Sequence, residues 1–163
     1  MRVCGVLLAV ALYVPAVIAG QGPPELPSRK VLTLEAARRA AAAAEAEAKR
    51  NNWAVSIAVV DAAGHLMVFH RMDGAKLVAI DISTRKARTA VYFQQPTKGL
   101  EEEVAGGRTA LLPIDGFMPL EGGIPLMADG VMVGAIGVSG VSGAQDAQCA
   151  QAGAATFTPP VTR

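Results

Sequence analysis

Aromatic rings are scarce in this sequence: one Trp, two Tyr and four Phe in 163 residues. A core must therefore be built from Ala, Val, Leu and Ile, with few large rings to fill space. Cysteine is nearly absent as well, with only Cys4 and Cys149, so a disulfide framework is excluded. There is no excess of either charge sign, 15 Lys and Arg standing against 14 Asp and Glu without a basic cluster. That balance argues against a nucleic-acid or anionic-membrane partner. Histidine occurs only as His65 and His70. Five residues apart on a strand they point to opposite faces, so they cannot share a zinc ion as two histidines one helical turn apart do. Ser139, Ser142 and Cys149 have no histidine near them in sequence, so no hydrolytic constellation is visible.

What is present begins with an uncharged apolar run, Val3 to Ile18, behind the single cation Arg2 and ahead of the small residues Ala19 and Gly20. The pattern is that of a removable secretory signal over residues 1–20. The run falls short of the ~20 residues that span a bilayer, and Pro15 interrupts it. The expectation is an exported protein, periplasmic or extracellular, without a membrane span after processing. Removal of Arg2 and Cys4 would leave 14 basic and 14 acidic side chains and Cys149 as the lone thiol. Residues 21–30 are a proline-rich lead-in, 31–157 one domain, and 158–163 a short tail.

Within the domain, Thr33 stands as an N-cap before an alanine-rich helix reaching Arg50, with Leu34, Ala37, Ala41, Ala44 and Ala48 as its apolar stripe. Residues 54–60 and 65–71 read as a hairpin closed by Asp61 to Gly64. A second helix spans roughly 77–92, with Ile80, Thr84, Ala87 and Val91 on one face, and Pro96 stops it. Residues 97–122 read as an irregular crossing with a short helix near 100–104. A second hairpin, 123–127 and 131–138, and a last helix, 144–154, follow, with Thr156 and Phe157 as a further short edge. Gly134 and Gly137 inside a strand signal close approach by another backbone or a ligand. The class is α+β, with antiparallel hairpins in one sheet and helices packed over it.

Four strings in this order carry a resemblance: Val59-Val60-Asp61-Ala62-Ala63-Gly64-His65-Leu66, Arg71-Met72-Asp73-Gly74-Ala75, Gly122-Gly123-Ile124-Pro125, and Gly134-Ala135-Ile136-Gly137-Val138-Ser139-Gly140. Together they resemble the GlcG/HbpS family of haem-binding-like proteins, related to the carboxy-terminal domain of PduO-type proteins. The resemblance implies a profilin-like layered fold, a central antiparallel sheet of about five strands, and a homo-oligomer. It also implies haem or a related tetrapyrrole as ligand, and on the shared strings it points to Arg71, Asp73, Gly123 and the Gly137 to Ser139 segment.

Haem iron takes an axial donor such as His, Cys, Met or Tyr, offered here by His65, His70, Met72, Tyr92 and Cys149, and its propionates take cations. His70, beside Arg71 and Met72 at a strand end, is the preferred metal ligand, against an ordinary hydrogen-bonded histidine. Arg71 and Asp73 form either a loop-fixing ion pair or a carboxylate clamp. Glu101, Glu102 and Glu103 are acidic without matching an iron site, and the stretch from Gly137 to Gly143 ahead of a helix offers backbone N–H groups to an anion. The expectation is a non-catalytic exported binding protein for haem, serving in its sensing or handling, with His70, Arg71, Asp73, Gly123, Gly137 and Ser139 at the ligand. The alternative is an enzyme or enzyme accessory acting on a small organic acid or oxidised metabolite, with Arg71 and Asp73 in its pocket.

Overall fold

The computed structural model describes residues 25–157. The expected signal segment, Cys4, the first part of the expected lead-in and the tail lie outside the described residues. Residues 25–30, the rest of the lead-in, are exposed and carry no regular structure.

The first helix, α1 (Leu34–Arg50), starts where Thr33 Oγ1 accepts the Ala36 N–H at 3.2 Å, satisfying one of the orphan donors of the first turn. Its buried residues are Ala37, Ala40, Ala41, Ala44 and Ala48. Leu34, expected in that stripe, is 45% exposed at the helix start. Strands β1 (Ser56–Asp61) and β2 (Leu66–Arg71) form the first hairpin, and helix α2 (Val78–Phe93) follows. The irregular crossing contains a full helix, α3 (Thr97–Ala105), with Pro96 at its N-cap. Proline thus opens α3 rather than stopping α2, which ends at Gln94 in the left-handed conformation. Strands β3 (Gly123–Ala128) and β4 (Val131–Ser139) and helix α4 (Gly143–Ala154) complete the chain.

The sheet has four strands in the order β2-β1-β4-β3, every neighbouring pair antiparallel. The count is four rather than five because Ala155 to Phe157 tighten into a 3-10 turn, Thr156 Oγ1 donating to Gly153 O at 2.8 Å, and add no edge. Helices α1 and α4 pack on one face and α2 on the other. Between these layers central β1 is buried along Ser56–Val60, whereas edge β2 keeps an exposed pattern. Backbone, and not ligand, explains the two strand glycines: a Cβ on Gly134 would meet Val60 O and stand 2.9 Å from Leu32 Cδ2, and one on Gly137 would stand 2.6 Å from Ala87 N of α2. No helix among the described residues is long and apolar enough to cross a membrane.

Candidate functional site

Alternation along β2 settles where His70 points. It pairs with Ile57, whose side chain belongs to the α1 and α4 core, so His70 shares the α1 face. There its Nδ1 lies 2.7 Å from Glu45 Oε2. The Lys49 ammonium, hydrogen-bonded to Glu45, and the His70 ring together hold that carboxyl below its ordinary range despite partial burial. A carboxylate beside Nδ1 holds the ring in one orientation and, in the neutral imidazole, favours the proton on Nδ1. Beside this pair an open groove of about 380 Å³ is lined by Glu45, Lys49, Arg71, Met72 and Asp73. Arg71 and Asp73 share it without forming an ion pair with each other.

The other three expected site residues lie elsewhere. Gly123 and Gly137 pair across β3 and β4 and lie under α2, where a Cβ on Gly123 would stand 2.5 Å from Lys86 O. Both are glycine because helix and strand backbones touch there. Ser139 is the last residue of β4 and not part of a loop, and it lines a second cleft of about 200 Å³. The six residues therefore split into a His70, Arg71, Asp73 group and a group on the α2 side of the sheet.

That second cleft contains what sequence reading missed. Lys86 of α2 and Asp146 of α4 are each 2% exposed, and Lys86 Nζ donates to Asp146 Oδ2 at 2.8 Å and to Val138 O at 3.0 Å. Burial raises the Asp146 carboxyl above its ordinary value against the opposing pull of Lys86. Spacing held a usable signal: Ala79, Ser83, Lys86 and Ala90 recur at four, three and four residues, and all are buried. The expected face of Ile80, Thr84, Ala87 and Val91 lies slightly to one side, with Ile80 and Thr84 only half-buried. Asp146 also accepts the Val141 N–H at 3.1 Å, and Ser142 forms a capping box with Gln145. The loop ahead of α4 thus directs its N–H groups to its own side chains instead of an outside anion.

The remaining candidates separate. His65 is exposed near Asp61, and Tyr92 is exposed on α2. Cys149 is buried among the helices, which pushes its thiol up to about 11. Glu101 accepts the Glu121 N–H at 2.8 Å, Glu102 faces Lys98, and Glu103 pairs with Arg108, so the acidic triplet disperses. No three His, Cys, Asp or Glu side chains among the described residues converge as a metal centre.

Residues 32–155 match the family model described as haem degrading protein HbpS-like. Protein GlcG of Escherichia coli strain K12 is 48% identical over 110 residues, 68% of this chain and 82% of that protein. A crystal structure of a Streptomyces reticuli HbpS double mutant superposes with a TM-score of 0.77 at 42% identity, covering 90% of this chain and 99% of that one. A crystal structure of a PduOC complex with heme superposes with a TM-score of 0.72 at 29% identity, covering 82% of this chain and 100% of that one.

Proposed function

This chain belongs to the HbpS-like family, and from that premise we propose that it is a non-catalytic binding protein for haem or a related tetrapyrrole, exported and homo-oligomeric, with a role in haem sensing or handling. The observation that carries the reading is the contact of His70 Nδ1 with Glu45, which itself lines a groove with two cations, Lys49 and Arg71. A metal-binding imidazole is characteristically oriented by a carboxylate on its other nitrogen. His70 would supply the axial nitrogen, Arg71 and Lys49 the charges for the propionates, and Met72 an apolar contact. Bound haem supplies ligand-exchange and redox chemistry at iron. The chain's own part is to orient the imidazole through Glu45 and to balance the carboxylates.

Titration of the purified chain with hemin is expected to give a saturable Soret change, weakened at least about tenfold by His70→Ala and about 10 to 100-fold by Glu45→Gln. Absence of saturation, or a His70→Ala protein that binds as the wild type does, overturns the reading. The polar lining of the groove favours one second reading, an accessory protein whose Arg71 and Lys49 hold a small organic acid. Thermal stabilisation by small carboxylates and not by hemin would decide for it.

A further inference from the structure

We propose that the cleft over Lys86 and Asp146 binds a small primary ammonium compound carrying a neutral hydrogen-bonding oxygen a few bonds away, as in an amino alcohol or an amino-acid amide. The cleft is separate from the His70 groove, so the proposal does not rest on haem binding.

Its inner end holds unspent donors. An ammonium has three N–H groups, and Lys86 directs two of them to Val138 O and Asp146 Oδ2. Ser139, 6% exposed and lining the same cleft, makes no side-chain hydrogen bond among the described residues. Its neighbour across the β1 and β4 ladder, Ser56, is fully buried with an unpartnered hydroxyl, so no protein acceptor answers either serine. Buried hydroxyls and ammonium protons are normally satisfied, and the Ser139 hydroxyl and the third Lys86 N–H, both on residues lining the cleft, call for an acceptor from outside. The backbone covers the lysine at Gly122, whose φ is +127° and where a Cβ would stand 2.9 Å from Nζ. A cleft of about 200 Å³ suits a small ligand.

Charge decides what else the ligand carries. One lysine and three carboxylates, Glu101, Glu121 and Asp146, line the cleft. Lys86, with Lys76 farther off, answers Asp146, while Glu101 and Glu121 have between them Lys98 alone, at 3.5 Å from Glu121 and longer than a charged hydrogen bond. A ligand carboxylate would face all three acids and is disfavoured. A metal ion lacks a converging set of donors among the described residues. A single ammonium at Glu101 and Glu121, with its oxygen inward at Ser139 and the free Lys86 N–H, satisfies both ends.

Calorimetric titration of the full chain tests this with five probes. Ethanolamine and glycinamide are expected to bind. Ethylamine, which lacks the oxygen, should bind about tenfold more weakly, the worth of one or two hydrogen bonds. Ethylene glycol and glycolate should not bind detectably. Ser139→Ala and Glu121→Gln should each weaken ethanolamine about tenfold while leaving the hemin titration unchanged. Equal binding of ethylamine and ethanolamine, binding of glycolate, failure of both amines to bind, or variants that bind like the parent would each overturn the proposal.

Discussion

Lys86→Met is expected to lower the free energy of unfolding by about 3–5 kcal/mol, the usual result of removing one partner from a buried ion pair. Lys86 ties three elements together, running from α2 to Val138 of β4 and Asp146 of α4. Without it the Asp146 carboxylate stays buried with only the Val141 N–H as partner, and an uncompensated charge in that setting costs more than the lost contact itself. The measurement is the urea midpoint at unchanged slope. A shift worth less than about 1 kcal/mol would show the pair to be solvated and weak. The double replacement Lys86→Met with Asp146→Leu should recover much of the loss, because it removes the orphaned charge as well.

The same variant has a signed pH dependence. Burial already raises the folded-state value of Asp146 above the ordinary carboxyl value, in spite of Lys86. A raised carboxyl value means that the folded chain binds more protons than the unfolded chain, so the contribution falls as pH rises through that window. Removing the cation raises the folded value further. The deficit of Lys86→Met is therefore expected to be largest near neutrality and to narrow as pH falls toward the ordinary carboxyl value. A deficit that grows on acidification would show Asp146 stabilised by something other than Lys86.

Gly137→Ala is expected to cost about 3 kcal/mol or more, at the upper end of what overpacking does. The added methyl would stand 2.6 Å from Ala87 N and closer still to Ser83 O. Both are helix backbone atoms, so no side-chain rotation relieves the clash. Either α2 lifts from the sheet or β4 leaves its register with β1, where Gly137 faces Ala58. Thermal unfolding of the variant should show a drop of many degrees or no cooperative transition at all. Gly99→Ala is the control. It lies within α3 with its nearest neighbour, Gln95 Oε1, 3.7 Å away, so the methyl fits and helix propensity should give up to about 1 kcal/mol of stabilisation. Equal losses at the two positions would mean that the close approach of α2 to β4 is not what glycine serves.

Much of this fold was legible because its signals are local. Thr33 before an alanine run, Val-rich β1, the Asp61 to Gly64 turn and the paired glycines of β4 each act within a few residues of chain, and each element formed within a few residues of its expected bounds. What local signals misjudged is equally physical. Leu34 fits the helical period but stands in the first turn of α1 and stays 45% exposed. Thr156 and Phe157 have strand-forming side chains, yet the turn continuing from α4 keeps them out of the ladder.

The site divided along the same line. Sequence alone put His70, Arg71 and Asp73 at one strand end and gave His70 and Arg71 opposite faces, because strand alternation is a property of consecutive residues. It could not supply Glu45, which reaches Nδ1 of His70 from a helix 25 positions away. Nor could it join Lys86 to Asp146 across 60 positions. A lysine in a helical stripe and an aspartate in a first turn each have an ordinary exposed reading in the sequence. Only the packing of α2 and α4 around the end of the sheet takes both from water, because withdrawing a charge requires neighbours from several elements at once, and those neighbours meet only in the folded chain.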